Sequence, residues 1–99
     1  MKVKTIVDGN RMEVAPEGKI DAITAPEFEA EITGRLEGIT ELNIDFSAVE
    51  YISSAGLRAL LYLHQSMEDV NGSMTVRNVP RIVMTIFEVT DFDKVIRIV

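Results

Sequence analysis

Between Leu42 and Val76 the apolar residues change their spacing twice, and this restricts the possible folds more than any other feature of the chain. Leu42, Ile44 and Phe46 alternate with Asn43 and Asp45, the period-two pattern of a strand with one buried face. From about Ser54 to Asp69 the spacing becomes three and four, with Leu57, Leu60, Leu61, His64 and Met67 along one side of a helix. Asn71-Gly72 ends that helix, and Met74-Thr75-Val76 reads as a short strand. A strand, a helix and a second strand in one sheet close as a right-handed crossover, so the two strands are expected to be parallel.

The join between the first strand and the helix carries two adjacent serines, Ser53 and Ser54, followed by the small residues Ala55 and Gly56. A helix start holds unpaired N–H groups and the positive end of the helix dipole. A phosphate attached to a serine there would sit in a favourable field. Ser53 reads equally as a simple helix cap, with Ser54 as an exposed first-turn residue. Gly56 has two readings: close packing of the helix on the sheet, or room for a partner's backbone beside Ser54.

The flanking segments complete a sheet. Residues Lys2 to Val7 and Arg11 to Ala15 alternate on either side of the turn signal Asp8-Gly9-Asn10, which predicts a β-hairpin. Pro16-Glu17-Gly18 is expected to break its second strand, with a brief resumption at Lys19-Ile20-Asp21. Thr24-Ala25-Pro26-Glu27 reads as a helix start in which Thr24 caps and Glu27 reaches back. Ala25, Phe28, Ile32 and Leu36 then form one apolar face, and Gly38 is expected to stop the helix. A third helix opens at Asn78-Val79-Pro80 with Asn78 as cap and Val79, Ile82, Val83, Ile86 and Phe87 inward. Val95 to Val99 is a last strand or extended segment. The order β-β-α-β-α-β-α-β predicts a mixed β-sheet with helices mainly on one face, an α/β fold.

Ninety-nine residues, 46% of them apolar, are expected to build one domain with one core. No apolar run approaches a membrane span, and the segment after Met1 lacks the apolar block of a signal peptide. There is no cysteine and a single histidine, which disfavours disulfides and a zinc site. These features suit a cytoplasmic protein. The net charge of −6 argues against direct binding to nucleic acid or an anionic membrane. Enzyme readings are weak. His64 follows Ser54 by ten residues, which places it roughly 15 Å along the helix axis, beyond reach of that hydroxyl. No phosphate-cradling glycine loop is present.

Tyr51-Ile52-Ser53-Ser54-Ala55-Gly56-Leu57-Arg58-Ala59-Leu60-Leu61, preceded by Asp45-Phe46-Ser47, resembles the signature of bacterial anti-sigma factor antagonists, which are single STAS domains of the SpoIIAA-like fold. Gly18-Lys19-Ile20-Asp21-Ala22-Ile23-Thr24-Ala25-Pro26-Glu27 resembles that family's other recurring segment, and the resemblance spans essentially the whole chain. It implies that Ser54 is the phosphorylated serine and that Asp21 is the acidic residue beside it. With Thr24, Ser53, Ala55, Gly56 and Arg58 these would form the partner-binding surface. Ser53 stands where known members often carry Asp, and Ala55 replaces a second hydroxyl residue.

The implied function is partner switching. The unphosphorylated domain binds an anti-sigma factor that is also a serine kinase, which frees a sigma factor. Phosphorylation of Ser54 ends the binding, and a PP2C-type phosphatase resets the domain. ATP belongs to the kinase, so the resemblance implies no cofactor and no catalysis by this chain. The alternatives are the same fold as an unphosphorylated subunit of a transporter or stressosome-like assembly, and a small serine hydrolase.

Overall fold

The computed structural model describes residues 1–99. The expected hairpin is present. Strand β1 (Lys2–Asp8) pairs antiparallel with β2 (Arg11–Ile20), and Gly9 at φ +64° makes the turn that a side chain would strain. Helix α1 (Ala25–Thr33), strands β3 (Glu41–Asp45) and β4 (Val49–Ile52) and helix α2 (Ser54–Asp69) follow. The chain ends with β5 (Ser73–Arg77), α3 (Arg81–Val89), a single 3₁₀ turn (Phe92–Lys94) and β6 (Arg97–Ile98).

The main sheet runs β1-β2-β3-β5-β6, and β4 pairs with β2 beside it. Strands β3 and β5 are parallel with Leu42 opposite Met74 and Ile44 opposite Val76, as the crossover requires. Alternation divides the sheet into two faces. Met12, Val14, Leu42, Ile44, Met74 and Val76 point into a core of 22 buried residues that the helices cover. Glu13, Ala15, Asp45, Thr75 and Arg77 occupy the opposite, uncovered face and are only partly buried. Phe28 and Ile32 of α1, Leu57, Leu60, Leu63 and Met67 of α2, and Val83 and Phe87 of α3 complete the core.

Several local expectations are corrected. Pro16 does not break β2, which runs unbroken to Ile20. Residues beyond Val14 leave β3, and pairing with β4 begins only at Gly18, so Pro16 has β1 on one side and no strand on the other. That is an edge position, where a missing N–H is tolerated. The strand β4 is not visible in the apolar pattern, because only Val49 and Ile52 of its four residues are buried. It is held by a bulge: Gly18, at φ +92°, lets β2 shift register and donates its N–H to Ala48 O at 2.9 Å.

Helix α1 ends at Thr33 with Gly34 as its cap, one turn before Gly38, and Leu36 packs from the following turn. On α2, Leu63 is fully buried, whereas Leu61 and His64 lie at the margin. Pro80, not Asn78, caps α3. Asn78 takes a left-handed φ of +55° and donates its side-chain N–H to Asp45 Oδ1 at 3.2 Å. Ile82 consequently faces outward and is 57% exposed.

Candidate functional site

The short pairing of β2 with β4 builds the site. Ile20 lies opposite Ile52 in parallel register, so the next residues, Asp21 and Ser53, leave the sheet side by side. The Ser53 N–H donates to Ile20 O at 2.9 Å and fixes this exit. Helices α1 and α2 therefore begin next to each other, at the same end of the sheet.

The first of these starts is closed by its own side chains. Asp21 Oδ1 accepts the N–H groups of Ile23 at 2.9 Å and Thr24 at 3.0 Å. The Thr24 hydroxyl accepts the Asp21 N–H at 2.9 Å and donates to Lys19 O at 2.7 Å. The two backbone donations hold the Asp21 carboxyl below its ordinary pKa, because they favour the ionised form. The expected capping box is thus replaced. Thr24 already has helical φ and ψ and makes no side-chain cap bond, Glu27 pairs instead with the Met1 ammonium at 2.8 Å, and Asp21 supplies the cap. A second signal was available in the sequence, since Asp with Thr three residues later is itself a turn-closing pattern.

The start of α2 is open. Ser53, at φ −96° and ψ 177°, has the backbone of a helix cap, yet its hydroxyl makes no cap bond. That Oγ is buried and has no hydrogen-bond partner. Ser54, the next residue, is exposed at the first position of a 16-residue helix. The intrahelical ladder begins with Leu57 N–H donating to Ser53 O at 2.9 Å, which leaves the N–H groups of Ser54, Ala55 and Gly56 without helical partners. Of the two serines, Ser54 alone offers its hydroxyl to a partner.

Gly56 is buried. A Cβ there would lie 2.5 Å from Ile52 Cγ1, 2.9 Å from Ile20 Cγ2 and 3.0 Å from Ile20 O. Its glycine is explained by the contact of α2 with the ends of β2 and β4. Arg58 is exposed and forms no ion pair. A groove of 340 Å³ opens beside Ser54 between the first turns of α1 and α2; Ala22, Ala25, Ala55 and Ala59 line it, with Glu29 and Arg58 at its sides. Asp21, Thr24, Ser53, Ser54, Ala55 and Arg58 thus gather around the paired helix starts, with Gly56 beneath them. His64 Nε2 lies 3.6 Å from Glu68 Oε1 on α2, which accounts for it as a helix-surface residue.

The family model described as the STAS domain matches residues 2–99. The chain belongs to the STAS domain family. Its relatives include BtrV of Bordetella bronchiseptica, named as an anti-sigma factor antagonist, with 29% identity over 77% of this chain. That match covers 66% of BtrV, so this STAS domain spans slightly less than two thirds of the relative's length. An anti-sigma factor antagonist from Mycobacterium paratuberculosis shares the fold at a TM-score of 0.81 and 27% identity, over 98% of this chain and 85% of the other. SpoIIAA in its unphosphorylated form matches at a TM-score of 0.78 and 17% identity, over 99% of this chain and 87% of that one. The phosphorylated form of SpoIIAA from Bacillus matches at 0.76 and 15%, over 99% and 91%. The chain is thus a STAS domain that shares the fold of SpoIIAA. No helix is long and apolar enough to cross a membrane.

Proposed function

We propose that this STAS domain is a phosphorylation-controlled antagonist of an anti-sigma factor. The unphosphorylated form binds an anti-sigma factor serine kinase at the paired starts of α1 and α2. That binding releases a sigma factor, and transfer of phosphate from the kinase's ATP to Ser54 ends it. A PP2C-type phosphatase restores the free hydroxyl. The observation that carries this reading is the contrast between the adjacent serines: Ser54 is exposed on the first turn of α2, and the Ser53 hydroxyl is buried.

The surroundings suit both states of Ser54. In the unmodified state the groove lined by alanines admits close approach, and Glu29 and Arg58 offer one charge of each sign at its sides. In the modified state the open N–H groups of the first turn and the helix dipole accommodate added negative charge. The ionised Asp21 carboxylate beside Ser53 opposes it and keeps the doubly acidic surface unfavourable to a partner that had desolvated it. Both forms of SpoIIAA match this fold with TM-scores of 0.78 and 0.76, which supports a switch that acts at the surface and not through the core.

The test is phosphorylation by the kinase encoded in the same host, read by peptide mass spectrometry and by titration of the kinase with each form. A single phosphate on Ser54, with tight binding before it and weak binding after it, is the expected result. Phosphate on Ser53 alone, or equal affinity for both forms, would overturn the reading.

A further inference from the structure

The two edges of the main sheet differ. Strand β6 closes one side with only Arg97 and Ile98, and β1 leaves seven residues open on the other. Long edges are ordinarily blunted by a proline or a bulge. β1 has neither: it contains no proline and pairs with β2 in unbroken register from Lys2 to Asp8. It also carries Ile6, 67% exposed, and Val7, 50% exposed, the most exposed apolar side chains of any strand.

The backbone of that edge has a definite phase. Asn10 O accepts the N–H groups of Thr40 at 2.8 Å and Glu41 at 3.1 Å, so Asn10, Met12 and Val14 direct their backbone groups at β3. The intervening Arg11, Glu13 and Ala15 direct theirs at β1, where they meet Asp8, Ile6 and Lys4. Val3, Thr5 and Val7 therefore point their N–H and C=O groups away from the sheet. Their side chains lie on the helix-covered face, since Val7 is opposite Met12 and Thr5 opposite Val14. Lys2, Lys4, Ile6 and Asp8 share the uncovered face. Lys2 has no ion-pair partner within the chain, and Asp8 has only the exposed Arg11 at 3.5 Å.

We infer that β1 is the docking edge for β1 of a second copy of this chain, the two strands running antiparallel about Thr5. The free backbone groups then meet in pairs: Val3 with Val7 of the second copy, Thr5 with its own counterpart, and Val7 with Val3. A shift of two residues either way loses one of these pairs, and one direction also sets Lys4 against itself. Centred on Thr5, Lys2 stands opposite Asp8 at both ends of the interface, a favourable cross-strand charge pair made twice by symmetry. Lys4 stands opposite Ile6 and lays its alkyl stem along that side chain. On the other face, Val3 covers Val7. The strand is thus complementary to itself in backbone, charge and apolar surface, and the contact closes as a dimer because each copy spends its one long edge. β1 and β4 lie on opposite sides of β2, so this edge is separate from the start of α2, and the inference does not rest on phosphorylation of Ser54.

The experiment is sedimentation equilibrium of the full chain from about 1 μM to about 1 mM, the range of small interfaces. The mass should double reversibly with concentration. Lys2→Asp and Asp8→Lys each set like charges opposite at both ends, and each variant should dimerise roughly tenfold more weakly. An equal mixture of the two should associate as tightly as the parent, because every end pair of the mixed dimer is again of opposite charge. Thr5→Pro removes an N–H that points away from β2, so the pairing of β1 with β2 is kept and the dimer should be lost. A chain that stays monomeric to about 1 mM overturns the assignment. So does a dimer that the charge variants leave at parent strength, a mixture no tighter than either variant alone, or a folded Thr5→Pro that still dimerises.

Discussion

Helices α1 and α2 start side by side at one end of the sheet, yet their first turns are finished in opposite ways. At α1 one oxygen of a carboxylate accepts two backbone N–H groups, and a hydroxyl both accepts and donates within the chain. At α2 the capping residue is present with the right backbone angles, but its hydroxyl caps nothing. The first start is tied into the fold by its own side chains. The second leaves its first-turn donors without helical partners and its outermost hydroxyl exposed. Such groups are met by water, or by a ligand or a modification where one is present.

The largest effect expected from this contrast is on binding. A phosphate on Ser54 adds ~1.5–2 negative charges at neutral pH. Within the domain that charge is stabilised by ~0.3–1 kcal/mol at the α2 N-terminus. Pressed into a partner interface it is desolvated without a counter-charge, which costs ~2–5 kcal/mol. The second term outweighs the first, so kinase affinity should fall roughly 30- to 4,000-fold on phosphorylation, by tenfold for each 1.4 kcal/mol. Titrations by calorimetry with both forms measure it, and amide spectra should change only around Ala22, Thr24 and the first two turns of α2. Ser54→Ala should bind the kinase and stay bound when ATP is added.

Beneath the open start, Gly56 should resist replacement because of its packing in the fold. Gly56→Ala gains ~1 kcal/mol of helix propensity. It also forces a methyl group against Ile52, Ile20 and the Ile20 carbonyl, and overpacking of this kind costs ~1–3 kcal/mol. The carbonyl belongs to the bond that fixes Ser53, so it cannot retreat freely. A net loss of about 1 kcal/mol in urea melts is expected. A gain in stability would show that β2 and α2 can separate and that the glycine is kept for a partner.

The same residues show how far the sequence could be read. Strong periodicity located the hairpin, α2 and the parallel β3–β5 pair, because each buries one face along several residues. The short β4 was hidden, since it is held by backbone pairing and by the φ of Gly18 rather than by an apolar pattern. Thr24 stands at the cap position of α1 but makes no cap bond, and Pro80 replaces Asn78 as the cap of α3, for one physical reason. Thr24 and Asn78 have the right chemistry for capping, but tertiary partners, Lys19 O and Asp45, claim their side chains first. Asp21, Thr24, Ser53, Ser54, Ala55, Gly56 and Arg58, which the resemblance names, lie together around the paired helix starts. The division of labour among them was not legible. Which serine points out, and that Gly56 lies underneath, depend on the direction in which β4 delivers the chain.

Removing the cap of α1 should have a smaller effect, read first in stability. Asp21→Ala deletes both acceptor bonds to Ile23 and Thr24 and should lower Tm, and Asp21→Asn, which keeps an acceptor oxygen, should lower it less. The acid limb provides a second reading. Asp21 and Asp45 have pKa values below the ordinary 3.8, each chiefly through backbone N–H donors. Between that value and their lowered ones the unfolded chain binds more protons, so their stabilisation is complete above the ordinary range and is lost as pH falls through the lowered values. Asp21→Asn should flatten that loss in acid melts. An unchanged acid limb would mean that the carboxylate is not tied to the α1 start.

The smallest effect, and the sharpest test of the contrast, is at Ser53. Replacing a helix-capping serine by alanine ordinarily costs ~1 kcal/mol, because a bond to the first-turn N–H groups is lost. Here no such bond exists, and the hydroxyl that would be removed is buried without a partner. Its burial carries a desolvation cost that alanine does not have. The extended backbone of Ser53 is open to alanine as well, and its N–H bond to Ile20 O is independent of the side chain. With no bond to lose and a burial cost removed, Ser53→Ala should be no less stable than the parent in urea melts. Phosphorylation at Ser54 should proceed at an unchanged rate in this variant, since the acceptor hydroxyl and its exposure are untouched. A loss near the ordinary capping value would show that Ser53 Oγ swings out to cap α2 in solution. The two helix starts would then be finished alike, and the opening of α2 would have to come from Ser54 alone.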